Sequence, residues 1–155
     1  MDIKRIVFMD VDGTLTDGKL YIGYEGEIMK AFDIKDGYAI AHMSEYGYLP
    51  VIITGRYSKI VDNRCKELGI KEIYQGVDNK LLVVNKILSK YGLSSSDAIY
   101  IGDDLNDLDC LMYCKYKICP KDAAKEIKLL QGIYISPFNG GDGVVRDFFD
   151  NISIF

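Results

Sequence analysis

Carboxylates and a hydroxyl follow short apolar runs at three places in this sequence. The first run ends in Asp10 and Asp12, the second in Thr54, and the third in Asp103 and Asp104. If the runs are parallel strands, their carboxyl ends meet at the same edge of the sheet, where ligands bind in such folds. Carboxylates gathered there would repel one another unless a hard cation neutralised them, and oxygen ligands without His or Cys favour magnesium. The pattern predicts a magnesium site at this edge.

The same positions carry groups suited to a phosphate. Gly13, Gly55 and Gly102 let the backbone turn sharply and bring N–H groups close to an anion. The Thr54 hydroxyl and the Lys80 ammonium could hold a phosphoryl group, whose charge must be screened before a carboxylate can attack it. A second carboxylate two residues along the chain could protonate the leaving oxygen. We therefore predict phosphoryl transfer, and not by a P-loop enzyme, since no Gly-x-x-x-x-Gly-Lys-Ser/Thr segment occurs.

Each of these features has a simpler explanation when it stands alone. An isolated Asp-x-Asp-Gly is usually a turn, an Asp-Asp pair is usually a helix cap, and a lone lysine such as Lys80 is usually a solvated surface charge. Their occurrence together at successive strand ends favours a functional site. His42 lacks an acidic or thiol partner in register, and the pair Cys110 and Cys114 lacks a second pair nearby, so we expect these residues to serve packing.

The elements that must position the site alternate along the chain. The apolar runs at 6–9, 51–53 and 98–101 are typical of buried parallel strands, and Pro50 is expected to open the second. Apolar residues recur between them at helical spacing. These are Ile60, Val61, Cys65 and Leu68; Leu81, Val84, Ile87, Leu88 and Tyr91; and Leu105, Leu108, Leu111 and Met112. The pattern predicts an α/β fold, a three-layer α/β sandwich with a central parallel sheet.

One segment departs from this alternation. Residues 20–32 contain two β-rich stretches around a glycine-bearing turn, which predicts a β-hairpin inserted at about 19–33, ahead of a helix at 36–46. No linker or repeat interrupts the sequence, so residues 1–155 are expected to form a single domain.

Composition excludes several classes of protein. The 155 residues include 19 Lys and Arg against 23 Asp and Glu, for a net charge of −4, which argues against a nucleic-acid partner. No apolar run is long enough to span a membrane, and the first residues do not have the pattern of a signal peptide. Four scattered cysteines do not form a disulfide framework. We expect a cytoplasmic protein.

Four segments together resemble the motifs of the haloacid dehalogenase (HAD) superfamily of phosphohydrolases. They are residues 10–18, residues 54–56, Lys80 and residues 102–107, in the order and over the span that the superfamily requires. The resemblance implies a Rossmann-like HAD fold and a Mg²⁺-dependent phosphatase that works through an aspartyl phosphate.

The resemblance also assigns roles to individual residues. Asp10 would be the nucleophile, and Asp12 would be the general acid and base. Thr54 and Lys80 would hold the phosphoryl oxygens. Asp10, the backbone carbonyl of Asp12 and Asp103 would bind the metal. Asp104 would support the site.

The spacing of the motifs leaves no room for a cap domain. About forty residues separate Asp12 from Thr54, and the hairpin and one helix account for them. The resemblance therefore narrows to the capless subclass that contains the 3-deoxy-D-manno-octulosonate 8-phosphate (KDO 8-phosphate) phosphatases. Further matches to that subclass are residues 16–18, 30–32, 36–38, 74–76 and 140–147. It implies a sugar-acid phosphate as substrate, most simply KDO 8-phosphate, and thus a place in lipopolysaccharide biosynthesis.

Basic residues are candidates for recognising the sugar acid, or else are solvated surface charges. Lys30, Lys35, Arg56 and Arg146 could form a basic rim around the site, although Lys35 stands where the subclass usually has arginine. Related phosphatases of nonulosonate 9-phosphates, the KDN and N-acetylneuraminate esters, share most of these motifs but more often carry an acidic residue at position 56. Arg56 therefore favours the octulosonate.

Two further questions stay open from the sequence. The chain could be a weakly active HAD-like oligomerisation or regulatory domain, although both Asp10 and Asp12 are present. The hairpin could fold back on its own domain, or hairpins from several chains could join, as the resemblance implies, into a homotetramer in which each neighbour covers the next site.

Overall fold

A six-stranded parallel sheet forms the centre of the protein. The computed structural model describes residues 3–154. The sheet contains β1 (Arg5–Met9), β4 (Tyr48–Ile53), β5 (Glu72–Tyr74), β6 (Ala98–Ile101), β7 (Tyr116–Cys119) and β8 (Ile133–Ile135), in the order β5-β4-β1-β6-β7-β8. All neighbouring strands in it are parallel. The predicted parallel sheet is confirmed.

Helices cover both faces of this sheet. They are α1 (Ile34–His42), α2 (Lys59–Glu67), α3 (Lys80–Tyr91), α4 (Leu108–Tyr113), α5 (Lys125–Lys128) and α6 (Val144–Asp150). Short 3-10 turns lie at Met43–Tyr46, Ser95–Asp97, Leu105–Asp107 and Ile152–Ile154. Within the described residues, no helix is both long and apolar enough to cross a membrane.

The strands bury alternate side chains against the two helical layers. Val7 and Met9 of β1 pack with residues of α1, α2 and α6, whereas Ile6 and Phe8 pack with residues of α3, α4 and α5. Successive side chains of a strand point to opposite faces, so an unbroken apolar run requires cover on both sides. The three-layer sandwich is therefore confirmed.

The boundaries of two elements differ from the sequence predictions. The helix expected at 36–46 is α1 followed by a 3-10 turn. It begins at Ile34, ahead of the predicted start, because Asp33 caps its first turn by accepting hydrogen bonds from the N–H groups of Lys35 and Asp36. β4 begins at Tyr48, ahead of Pro50. β5 pairs with β4 only from Val51 onward, so Pro50 has a strand neighbour on one side only, where a missing N–H is tolerated.

The predicted hairpin is present as β2 (Tyr21–Gly23) and β3 (Gly26–Met29), a separate two-stranded sheet. Its apolar side chains are largely outside the core, with Ile22 59% exposed and Ile28 63% exposed. In contrast, Cys110 and Cys114 are buried in the core, as the sequence predicted.

Candidate active site

The three polar strand ends meet in one cleft of about 290 Å³. Asp10 follows β1, Thr54 follows β4 and Asp103 comes shortly after β6, and β1 lies between the other two strands in the sheet. The lining residues are Asp10, Asp12, Gly13, Gly18, Thr54, Gly55, Arg56, Asp103, Asp104 and Asn106. Residues far apart in sequence are thus gathered as the strand-end argument predicted.

Asp10 is the most constrained carboxylate of the cleft. It is buried, and its backbone N–H donates to the carbonyl of Ile101 over 3.0 Å. Its Oδ1 accepts a hydrogen bond from Lys80 Nζ at 2.7 Å. Burial and the nearby Asp107 carboxylate raise the pKa of Asp10 well above its ordinary value, and Lys80 opposes that rise. The site therefore needs positive charge to keep Asp10 ionised.

Lys80 supplies part of that charge. It is the first residue of α3, which begins there because Asn79 caps the helix by accepting the Leu82 N–H. The side chain is 2% exposed and pairs with both Asp10 and Asp107, each at 2.7 Å. Burial alone would lower the pKa of Lys80, but the two carboxylates outweigh it and raise the pKa above its ordinary value. Lys80 is therefore a fixed ammonium at the floor of the site.

Asp107 is a site residue to which the sequence analysis gave no role. It is fully buried, and its Oδ1 accepts from Lys80 and from the Tyr100 hydroxyl, each at 2.7 Å. Its Oδ2 accepts the backbone N–H groups of Asp103 at 3.0 Å and Asp104 at 3.4 Å. The sequence signal that could have identified Asp107 as a site residue is its position four residues after Asp103, inside the segment 102–107. Asp107 fixes Lys80 and the loop that carries Asp103.

The carboxylates of the cleft fit a hard divalent cation. Asp10, Asp103 and Asp107 each offer an oxygen within 4.8 Å of the others. Both Asp107 oxygens are already hydrogen-bonded, which leaves Asp10 and Asp103 as the side chains that could bind an ion. Burial, and then Asp107, raises the pKa of Asp103 to about 6, while a hydrogen bond from Thr14 at 3.0 Å opposes the rise. Such a crowded, oxygen-only donor set suits Mg²⁺.

Asp12 lies between two basic side chains at the cleft. Its Oδ1 pairs with Lys30 from just after β3, and its Oδ2 lies 4.0 Å from Arg56 Nε. Arg56 is half exposed at the mouth, whereas the Lys30 side chain is 1% exposed. The alternative that Lys30 is a solvated surface charge is therefore wrong, because its ammonium faces Asp12 and Glu27 instead of solvent.

Thr54 and two glycines shape the bed of the cleft. Thr54 is buried, and its Oγ1 accepts the Arg56 N–H over 3.4 Å across the turn at Gly55. Gly13 has φ +92°, and a Cβ there would overlap the Asp103 carboxylate. Only glycine therefore allows the first loop to lie this close to Asp103.

Three other predicted site residues lie elsewhere or at the edge. Asp104 is exposed at the cleft and caps the next turn by accepting the Leu105 N–H over 2.8 Å. Lys35 and Arg146 line a different cleft, between α1 and α6, where Arg146 Nε donates to Asp150 at 2.7 Å. The fold of one chain does not bring Lys35 and Arg146 to Asp10, and their role in substrate binding stays a prediction.

Comparison with known proteins identifies the family. The sequence profile of the haloacid dehalogenase-like hydrolases matches residues 69–147. The KDO 8-phosphate phosphatase of Escherichia coli K12 is 37% identical over 146 residues, which cover 94% of this chain and 77% of that protein. The chain belongs to the haloacid dehalogenase-like hydrolases.

Solved structures of such hydrolases have the same fold. The KDO 8-phosphate phosphatase of Yersinia pestis superposes with a TM-score of 0.92 at 34% identity, over 97% of this chain and 80% of that one. The Moraxella catarrhalis enzyme, solved with magnesium, phosphate and KDO, gives a TM-score of 0.90 at 38% identity, over 97% and 85%. The resemblance drawn from the motifs is confirmed, and this haloacid dehalogenase-like hydrolase is a phosphatase with the predicted capless α/β fold.

Proposed function

We propose that this hydrolase removes phosphate from a sugar-acid phosphate, KDO 8-phosphate, giving KDO and inorganic phosphate. The observation that carries the proposal is the convergence of Asp10, Asp12, Thr54, Lys80 and Asp103 on one cleft in a chain whose relatives are KDO 8-phosphate phosphatases. The basic Arg56 at the mouth of the cleft supports an acidic substrate.

The proposed reaction has two covalent steps. Asp10 Oδ2 attacks phosphorus, an aspartyl phosphate forms, and the bond from phosphorus to the sugar oxygen breaks as Asp12 donates a proton to that oxygen. Water then attacks the aspartyl phosphate, Asp12 takes a proton from it, and Asp10 is released with inorganic phosphate. Lys80 keeps Asp10 Oδ1 in place through the 2.7 Å contact, and Thr54 would hold a phosphoryl oxygen.

We propose Mg²⁺ as the cofactor. Asp10, Asp103 and the backbone carbonyl of Asp12 would bind it, and bound Mg²⁺ would offset the negative charge of the phosphate and of the crowded carboxylates. The raised pKa values of Asp10 and Asp103 support this assignment, because burial and then the Asp107 carboxylate disfavour their ionised forms, which a bound cation would stabilise.

We further propose a cytoplasmic homotetramer of single-domain chains. The exposed apolar residues of the hairpin, including Leu20, Ile22, Ile28 and Met29, support an assembly in which hairpins pack against one another. A neighbouring chain would then cover a cleft that has no cap of its own, and could bring Lys35 or Arg146 to the substrate.

A substrate screen tests the activity. Purified protein with Mg²⁺ should release phosphate from KDO 8-phosphate with a higher kcat/KM than from KDN 9-phosphate or N-acetylneuraminate 9-phosphate, and chelator should abolish the reaction. Preference for a 9-phosphate would reassign the substrate. Failure to hydrolyse even an aryl phosphate would favour a regulatory or oligomerisation domain.

A further inference from the structure

A buried lysine of the hairpin segment holds the side chain of Asp12. Lys30 Nζ pairs with Asp12 Oδ1 and lies 2.9 Å from Glu27 Oε1, and its side chain is 1% exposed. Glu27 in turn accepts a hydrogen bond from the hydroxyl of Ser58, the residue that caps α2. A continuous polar chain thus runs from the start of α2 through the hairpin to the carboxylate of Asp12.

Because Lys30 is buried, its contact with Asp12 restricts the movement of both side chains. An ammonium removed from water loses its hydration and must be satisfied by nearby acceptors, so Lys30 cannot move away from both carboxylates without a large cost. Asp12 is bound on the other side by a weaker approach, 4.0 Å to the half-exposed Arg56. Lys30 is therefore the contact that fixes the rotation of the Asp12 carboxylate.

Proton transfer depends on that rotation. A general acid must place its oxygen within hydrogen-bond reach of the leaving atom, and a displacement of about 1 Å can cost on the order of 10²-fold in rate. Backbone position alone does not set the direction of an Asp side chain, which has two rotatable bonds. A contact with a neighbouring side chain must therefore set the direction of the Asp12 carboxylate.

We propose that Lys30 is a positioning residue for the general acid, anchored by Glu27 and Ser58. The proposal rests on the proposed catalytic role of Asp12. It gives the hairpin a function within its own chain, separate from any part that it plays in assembly. Lys30 does not touch substrate in this role, because it is buried and does not line the cleft.

The dependence of rate on the leaving group tests the proposal. A p-nitrophenolate departs without a proton, whereas the more basic phenolate needs one. The kcat/KM value reports the step in which that group leaves. Lys30→Met should lower kcat/KM for phenyl phosphate by about 10-fold or more, and for p-nitrophenyl phosphate by no more than about 3-fold, since general acid catalysis is worth roughly 10²–10⁴-fold. A crystal structure of Lys30→Met should show the Asp12 carboxylate rotated.

Two further variants complete the experiment. Lys19→Met changes an exposed lysine near the base of the hairpin and should leave both rates unchanged. Lys30→Arg keeps the charge but moves the donors, so it should fold and still lose more activity on phenyl phosphate.

Two results would overturn the proposal. One is equal losses, or none, on the two esters in Lys30→Met, or in Lys30→Arg if the methionine variant does not fold. The other is an unmoved Asp12 in the crystal structure. Both esters are generic phosphatase substrates, so wild-type inactivity toward KDO 8-phosphate would count against the proposed substrate and leave this test intact.

Discussion

The ammonium of Lys80 lies 2.7 Å from Oδ1 of Asp107, and both side chains are almost fully buried. The same ammonium reaches Asp10 at 2.7 Å, so one cation is shared by the proposed nucleophile and a carboxylate that faces away from solvent. Asp107 also binds the loop of Asp103 through two backbone N–H groups. Asp107 thus contacts both the proposed phosphate-binding lysine and the loop of a proposed metal ligand.

Replacing Asp107 should therefore damage both stability and activity. Asp107→Asn leaves Lys80 with one carboxylate and places an amide donor against the Tyr100 hydroxyl and Lys80, or against the backbone N–H groups. Breaking a buried pair costs roughly 3–5 kcal/mol, so we expect a loss of that order in urea unfolding and a large fall in kcat/KM. Asp109→Asn, an exposed change nearby, is the control. A fully stable and active Asp107→Asn protein would contradict this account.

Replacing Asp10 should abolish activity and raise the stability of the metal-free protein. Asp10→Asn removes the proposed nucleophile, so turnover should fall below a few per cent of the wild-type rate. It also removes a buried carboxylate whose pKa is raised by burial and by Asp107. The pKa of Asp10 is raised even with the Lys80 contact included, so ionising this carboxylate weakens the fold on balance, although Asp10→Asn also takes one partner from Lys80. The metal-free variant should therefore unfold at higher urea than wild type near pH 7.5. A lower midpoint in chelator would contradict the electrostatic argument.

Magnesium should stabilise the wild-type protein through Asp103. Binding to the folded state alone adds about 2.7 kcal/mol at a Mg²⁺ concentration of 100 Kd, which thermal unfolding with and without chelator can measure. Asp103→Asn should reduce this stabilisation sharply because it removes an anionic oxygen ligand. Asp109→Asn should retain it. Equal stabilisation of Asp103→Asn and wild type would place the ion elsewhere.

The stability of the protein should also depend on the ionisation of Asp36, outside the cleft. Burial raises the pKa of Asp36 to about 6, although the hydrogen bond from the Arg146 N–H at 2.8 Å opposes this rise. Asp36 Oδ2 is a buried atom without a hydrogen-bond partner among the described residues. The folded state therefore binds this proton more tightly than the unfolded state. Stability conferred by the protonated form is lost as the pH rises from about 4 through about 6.

The variant Asp36→Asn should remove this dependence. Its side-chain oxygen can still accept the Arg146 N–H, and it carries no charge at any pH. Relative to wild type, its free energy of unfolding should rise by about 2 kcal/mol between pH 4 and pH 7.5. Urea titrations at several pH values measure the difference, with the exposed Asp142→Asn as the control. If the difference in unfolding free energy between Asp36→Asn and wild type does not change with pH, Asp36 has the same pKa in the folded and unfolded states.

The hairpin should decide the assembly state. Light scattering on wild type should report about four chains per particle. Ile22→Ser with Ile28→Ser removes two exposed apolar side chains of the hairpin and should give smaller species that lose selectivity for the sugar-acid phosphate. Ile34→Ser, which changes an 83% exposed isoleucine outside the hairpin, should remain a tetramer. A monomeric wild type with full selectivity would end this proposal.

Local sequence was enough for the elements of the fold and for most of the cleft. The apolar run before Asp10 requires a strand covered on both faces, and parallel strands that end in Asp10, Thr54 and Asp103 must present them at one edge. The family motifs then assign chemistry to these residues. None of this needs a side-chain position, because strand direction and order place the residues.

Tertiary structure alone decided which charges pair. Lys80 and Asp10 are 70 positions apart, and Lys30 and Asp12 are 18 apart, so no local pattern links them. No sequence pattern indicated that the Lys30 side chain would be buried instead of solvated, nor that Asp107 would have no exposed surface while Asp104 faces solvent. Burial depends on how helices and hairpin pack over the sheet, and burial determines whether a charge is held in one place. The cleft was therefore predictable as a set of residues, whereas its ion pairs followed only from the packed fold.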